Sequence, residues 1–487
     1  MIPTPLTRDE LARHIGDAAA TPPPVRIVHL GLGHFFRAHQ AWYTAHAADA
    51  AQWGIAAFTG RSVASAEALN RHDGLFTLVE RGPYIDRLEV IGSVVEANVG
   101  EDVQRLEALA RDPQVAVVTL TVTESGYRLT TAGLPDLDDA DVRADLEALR
   151  AGASAALTVL GRLTTAFRAR RDVDAGPIAV VPCDNIPGNG EFVARGVIAF
   201  AERVDPTLAA WITANVSFVS TSVDRITPHT NEVPAVVSSA GWLDDLTVIT
   251  EPFSDWVLAG DFPAGRPDWE SAGARFVDDI EPWENRKLWL LNGAHSLLTF
   301  AGMPRGLQTV AEAIADAECR ALVESFWDEA VACLPDGTEH ERYRSQLIER
   351  FANPRIVHRL AQIAADATAK VEFRFAAVAE RSIAAARDAS ASARGLATWI
   401  AWLRTRPGAV DVRADAVAAA EVSDDPVSSL IGLVSWKLAA VPGFVDDVRR
   451  FVREVSTDQT PALGRRANRA RAHSTVPKGE PHDHRQG

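Results

Sequence analysis

Cysteine is scarce in this chain. There are three in 487 residues, Cys183, Cys319 and Cys333, and no two lie close together. That excludes a disulfide framework and a zinc knot, and it fits a reducing compartment, so a cytoplasmic location is expected. No unbroken apolar run is long enough for a membrane span. The N-terminus, MIPTPLTRDELARHIGDAAATPPP, has no basic start followed by an apolar core, so no signal peptide is expected. Positive charge is outnumbered: 49 Lys and Arg against 65 Asp and Glu give a net charge of −16. Nucleic acid and anionic membrane surfaces are therefore poor partners. No His/Cys constellation suggests a catalytic zinc, and the expectation is no metal. A His482-Asp483-His484 piece exists, but it lies on a final stretch rich in Arg, His and Pro. Oligomeric state cannot be read from this sequence. What remains is ordinary for a globular chain, 47% hydrophobic and 23% charged. Its length calls for two or three domains.

The first half alternates strands with polar loops. Residues 1–24 read as a short helix stopped by Pro22-Pro23-Pro24. Val25 to Leu30 has the length and composition of a strand, Gly31-Leu32-Gly33 is a tight turn, and the pattern turns helical from Phe35. Strand, glycine turn and helix form the first unit of a dinucleotide-binding fold. The glycines admit a pyrophosphate and the helix start offers N–H groups to it. The third position of the usual G-x-G-x-x-G is Phe36, so a plain strand-to-helix turn is the competing reading. A second strand is expected over Gly54 to Phe58. At its tip an NAD enzyme would carry an acid for the ribose; here stands Arg61, which can meet a 2′-phosphate or stack on adenine. Either NAD or NADP is compatible.

Leu75 to Val79 and Glu89 to Ile91 alternate like paired antiparallel strands. Val115 to Val122 reads as a buried parallel strand ending in Thr123-Glu124-Ser125-Gly126-Tyr127. Glu124 is then either a proton-path residue beside the ligand crevice or a solvated loop glutamate. Ala140 to Arg170 is helical with a break near Gly152. Ile178 to Pro182 and Asn215 to Ser220 are further strands. Each runs into a small polar loop, one holding Asn185 and the other Asp224. After Leu288 the strand signal fades, and Gly306 to Phe451 reads as amphipathic helix. The expected organisation is a Rossmann-type α/β domain with a parallel-sheet core over 1–280, an all-α domain over 281–463, and a disordered tail over 464–487.

The stretch Glu281 to Gly302, EPWENRKLWLLNGAHSLLTFAG, reads as helix with an apolar face from Leu288 to Leu298. Asn292 and His295 are three apart and share a face. Lys287 precedes Asn292 by five residues, about 140° around an ideal α-helix, and only its long stem brings it back to that face. An amine, an amide and an imidazole so placed can take a proton from an alcohol and donate to the oxygen left behind. The plain alternative is a mostly buried helix with three polar residues pointing outward.

Five segments, GLGHFFRAHQA, TLTVTESGY, PCDNIPGNG, STSVDRITP and KLWLLNGAHS, resemble in order and spacing those of the polyol-specific long-chain dehydrogenases, the mannitol dehydrogenase and fructuronate reductase group. The resemblance runs from about Ile27 to about Lys370. It implies a metal-free, NAD(P)-dependent enzyme with a Rossmann-type first domain and a helical second one. It implies that Lys287, Asn292 and His295 are catalytic, that Asn185 assists at the oxyanion, and that Asp224 and Lys370 meet the substrate. Gly31, Gly33, Phe35, Arg61 and Glu124 are the candidate cofactor residues. The chain departs from the pattern near Lys370. Gln362 stands where mannitol dehydrogenases carry Arg, Ala367 replaces a Gly, and a Pro expected after Lys370 is missing. Arg350 to Pro354 and His358 to Ala364 look closer to uronate reductases.

The expected chemistry is removal of a proton and a hydride from one secondary alcohol of a sugar alcohol, giving the ketose. A lysine amine titrates near about 10.4, so as a base Lys287 needs burial or a neighbouring cation to bring it down. The expected partner is a small polyol or sugar acid. Fructuronate, tagaturonate or a phosphorylated polyol such as mannitol 1-phosphate are the alternative substrates. A sugar acid needs a cation, which Lys370, Arg374 or Arg37 could supply, with Gln362 alongside. A nucleotide-binding sensor without catalysis is the reading from another class, and it would have no use for Lys287.

Overall fold

The computed structural model describes residues 3–16, 21–60, 62–155, 157–228, 233–405 and 411–458. Arg61, the expected tail over 464–487 and the His482–His484 piece lie outside them. The chain divides into two compact units, Met1–Asn285 and Arg286–Gly487.

The core of the first unit is a six-stranded, all-parallel sheet. Its strands are β1 (Val25–Leu30), β2 (Gly54–Phe58), β3 (Val94–Asn98), β4 (Val117–Leu120), β5 (Ile178–Pro182) and β6 (Val216–Phe218), in the spatial order 3-2-1-4-5-6. That is the doubly wound order in which ligands bind beyond the carboxyl ends of the strands, where the order reverses between β1 and β4. The central strands are buried on both faces, which explains their nearly unbroken apolar sequences. One exception is His29 in β1. Its Nδ1 meets Thr119 Oγ1 at 2.8 Å and its Nε2 meets Thr121 Oγ1 at 3.0 Å. Burial lowers the imidazole pKa to about 3, so this histidine is neutral and structural.

A second layer comes from an antiparallel hairpin, Phe76–Arg81 with Asp86–Ile91, as its alternating pattern predicts. Val248–Thr250 extends it in parallel. A further strand, β7 (Ser220–Asp224), pairs antiparallel with β8 (Asp255–Ala259). The helix expected before Pro22 is Arg8–Ile15, capped by Thr7. Among the described residues of the second unit every named element is a helix. Among the described residues no helix is long and apolar enough to cross a membrane.

Candidate functional site

β1 runs into Gly31, whose φ is +118°. A Cβ built there would sit 2.3 Å from the Thr121 carbonyl oxygen, so glycine is required on two counts. Gly31 and Leu32 N–H both donate to the Phe58 carbonyl, at 2.9 and 3.0 Å, tying the turn to β2. Thr121 Oγ1 donates to the Gly31 carbonyl at 2.7 Å. Its lone pairs then accept from His29, which places the His29 proton on Nε2. Gly33 caps α1 (His34–Ala38) without a side-chain acceptor for the first-turn amides. Such amides have no intrahelical partner and are suited to an anionic pyrophosphate. These residues therefore fit a dinucleotide.

The departure at Phe36 has a packing reason. Its ring is buried and stacks on His29 with centroids 3.6 Å apart, filling the space that a third glycine would leave for close helix–strand approach. Phe35 is half-buried and stacks on His39 at 5.0 Å. Glu124 opens a short 3₁₀ turn after β4 and is exposed. Substituting Gly31→Ala forces a Cβ against the Thr121 carbonyl at a φ that disfavours it. The expected result is a loss of about 1–3 kcal/mol in stability together with weaker dinucleotide binding. Thermal unfolding and a fluorescence titration with NADH check it, and parental values in both would show that the turn tolerates a side chain.

The loop after β5 is built on three residues that sequence reasoning passed over. Buried Tyr127 donates its hydroxyl to Asp184 Oδ2 at 2.5 Å. Burial and the adjacent Asp184 push the Tyr127 pKa up, while burial raises that of Asp184. Asp184 Oδ1 accepts from the Ile186 amide at 2.9 Å. Asn189, fully buried, donates to the Pro182 and Thr221 carbonyls, both at 3.2 Å, and accepts from the Thr221 amide at 2.8 Å. Gly188 N–H donates to Glu284 at 2.9 Å. This base leaves Asn185 exposed at the tip, beyond the carboxyl end of β5. The recoverable signal was the Asp and Asn flanking the loop, a composition typical of side chains that bond nearby backbone.

β7 ends in buried Asp224, and Arg225 next to it fixes that end. Its guanidinium donates to the Ala38 carbonyl at 2.7 Å, to the Glu251 carbonyl at 3.2 Å and to Glu80 at 2.7 Å, and lies over the Trp42 ring. Arg37 is also buried. It donates to the Gly33 and Leu246 carbonyls, and burial draws its pKa to about 10 against the opposing pull of Asp244. Its donors are thus aimed at protein acceptors around the glycine turn.

In the second unit, Lys287 and Asn292 do not lie on an α-helix. Lys287–Gly293 is a π-helical segment that gives way to the α-helix Ala294–Gly302. This corrects the expected α-helical spacing. With i→i+5 hydrogen bonding, residue i+5 stacks over residue i as i+4 does in an α-helix. Lys287 is therefore brought over Asn292 instead of being 140° away. Trp289, Leu290, Leu291 and Gly293 are buried, and Trp327 donates to the Leu290 carbonyl at 2.8 Å. A Cβ at Gly293 would lie 2.7 Å from the Phe326 ring. Lys287 and Asn292 are half-buried. His295 is buried, with its ring tilted against Phe351 at 4.9 Å and edge-on to His358 at 4.8 Å. Burial lowers the His358 pKa.

Gln362 is exposed. Lys370 donates to the Ile363 and Ala365 carbonyls at 2.9 and 2.5 Å, and its pKa falls through burial and the nearby Arg374. Among the described residues one group has the composition of a metal site, His72 with Asp244 and Asp245, in the first unit. Asp244 already accepts from the Thr77 amide and hydroxyl, both at 2.6 Å, and from the Leu246 amide at 2.7 Å. Asp245 pairs with Arg71. The group is accounted for as an ion-pair cluster that anchors its loop.

Comparison with known proteins places this geometry. The mannitol dehydrogenase Rossmann domain family matches residues 25–271, and the mannitol dehydrogenase C-terminal domain family matches residues 279–455. The chain is 38% identical over 360 residues to D-mannonate oxidoreductase of Escherichia coli (strain K12), covering 71% of this chain and 73% of that protein. It is 35% identical over 394 residues to the polyol:NADP oxidoreductase of Gluconobacter oxydans (strain 621H), covering 78% and 80%. The ternary complex of Pseudomonas fluorescens mannitol 2-dehydrogenase with NAD and D-mannitol superposes with a TM-score of 0.75 at 29% identity, covering 96% of this chain and 100% of that one. The resemblance carried by the five segments is thereby established, and the chain belongs to the mannitol dehydrogenase family of oxidoreductases, with that family's Rossmann and C-terminal domains.

Proposed function

We propose that the protein interconverts a secondary alcohol of a sugar alcohol and the corresponding ketose, with NAD or NADP as cofactor and Lys287 as general base. The observation that carries this reading is the π-turn. Its i→i+5 repeat sets Lys287 and Asn292 one turn apart on the same side of the segment, and His295 follows on the next turn. When bound, the nicotinamide supplies the hydride acceptor. The residues of this chain then have the proton and the charge to manage. Lys287 takes the hydroxyl proton, and Asn292, His295 and Asn185 donate to the oxygen as it becomes negative. Asp224 accepts from a substrate hydroxyl and so sets orientation. The Gly31 turn and the Gly33 cap hold the pyrophosphate.

A second reading, a sugar acid such as fructuronate or tagaturonate as the ketose, is favoured by two observations. Gln362 replaces the arginine of mannitol dehydrogenases, and one close relative is a D-mannonate oxidoreductase. Lys370 is its proposed carboxylate partner. Steady-state oxidation of NADH and of NADPH against fructose, fructuronate, tagaturonate and fructose 6-phosphate decides between them. The polyol reading expects the highest kcat/KM on fructose, and the sugar-acid reading expects it on a uronate. No turnover of any of the four would overturn both.

A further inference from the structure

The helical unit contains a second π-turn, Glu372–Ala376, lying between the α-helices Ala367–Val371 and Ala377–Ala384. It packs on the first one, Lys287–Gly293. π-turns are rare and costly in hydrogen-bond register, and they concentrate at functional sites. Two in contact need something to hold them. Arg374, at the middle of the second, reaches across. Its Nη1 donates to the Asn292 carbonyl at 2.8 Å and to Ser296 Oγ at 2.7 Å. Asn292 belongs to the π-turn and Ser296 to the α-turn after it, so one nitrogen bridges the step from i→i+5 to i→i+4 bonding. At such a step the helix leaves a carbonyl without its regular partner.

The guanidinium is an unusual choice for that task. It is half-buried, and desolvation alone accounts for its lowered pKa of about 10. Among the described residues no carboxylate pairs with it. A desolvated cation with only neutral acceptors is expensive to keep. A lone methionine or leucine would fill the same space more cheaply, but it could not donate to both acceptors.

We propose that Arg374 is a positioning residue, clamping the π-turn so that Lys287, Asn292 and His295 stay in register for the reaction; this rests on the functional reading above. It touches the backbone and a serine of the helix, not the reacting atoms. Loss of the clamp lets the π-turn relax toward α-helical spacing, which rotates Lys287 away from Asn292.

The test uses the full-length enzyme with its best substrate from the panel above. Arg374→Gln is expected to lower kcat by about 10²-fold, the scale of a misplacement near 1 Å, with KM and NADH affinity close to parental. Arg374→Lys, which keeps a donor and the charge, is expected to recover most of kcat. Ser296→Ala removes one acceptor without a large void and is expected to lower kcat in the same direction by less. It carries the test if Arg374→Gln does not fold. Parental kcat in Arg374→Gln, or in Ser296→Ala where only that variant folds, overturns the clamp. So does a rise in KM confined to acidic sugars, which would make Arg374 a substrate ligand. Lys287→Ala is measured beside them. If it keeps parental turnover, the base assignment falls and takes the clamp's purpose with it; if it is inactive while Arg374→Gln is unaffected, only the clamp fails.

Discussion

Lys287→Ala is expected to lose about 10²–10⁴-fold in turnover while still binding NADH, with small primary amines restoring part of the rate. The magnitude follows from removing a positioned base from a step in which the hydroxyl proton must leave with the hydride. Nothing in the metal-free reading offers a replacement, because Asn292 and Asn185 are amides and cannot accept that proton. His295 is the nearest alternative base on the same helix, but its buried ring is packed between Phe351 and His358. Amine rescue separates loss of a base from loss of structure, since the cavity left by lysine admits a small amine. Turnover near parental in the variant would refute the mechanism. An inactive variant that no amine rescues and that no longer binds NADH would point to a folding defect instead.

The parts of the fold that were legible in the sequence share one physical cause. β1, β2 and β5 lie inside a sheet covered on both faces, so their bounds are marked by apolar runs, broken in β1 only by Arg26 and His29, and the structure gives Val25–Leu30, Gly54–Phe58 and Ile178–Pro182 as read. β3, Val94–Asn98, gives no such run. It forms one edge of the sheet, its middle residues are half-exposed, and Glu96 lies in it, paired with Arg105. β7 is hidden for a different reason: Ser220, Thr221, Ser222 and Asp224 are polar groups buried by the fold instead of by their own hydrophobicity, while β8 holds only the short apolar run Trp256-Val257-Leu258-Ala259. At the candidate site the residue types were legible and their geometry was not. Lys287, Asn292 and His295 stand out as polar residues in an apolar helix, but the 3.6-residue period assumed for any amphipathic helix misplaces Lys287. A π-turn leaves no compositional mark. Its support, Arg374, lies more than seventy residues on, where sequence alone offered it only as one spare cation among three. The brace under Asn185 was similarly hidden, because Tyr127, Asp184 and Asn189 come from two separate loops.

Arg225→Ala is expected to destabilise the protein by about 3–5 kcal/mol, a fall in Tm on the order of 10 °C, and to raise KM for the sugar. The size comes from what the side chain leaves behind. The Arg225 side chain is fully buried and its partner Glu80 is partly so, at 0% and 18% side-chain exposure. Deleting the guanidinium strands the Glu80 carboxylate and deprives the Ala38 and Glu251 carbonyls of their donor. A surface pair of the same length would be worth about 1 kcal/mol or less, so burial decides the outcome. The link to function runs through the chain: Arg225 follows Asp224 and ties the end of β7 to the last residue of α1. If it slackens, Asp224 loses its fixed place while the nucleotide turn at Gly31, anchored separately to Phe58 and Thr121, keeps its own. KM for substrate should therefore rise more than Kd for NADH. The double variant with Glu80→Gln should recover part of the stability, because the stranded charge is then gone. A parental Tm and KM in Arg225→Ala would show that the network does not hold Asp224.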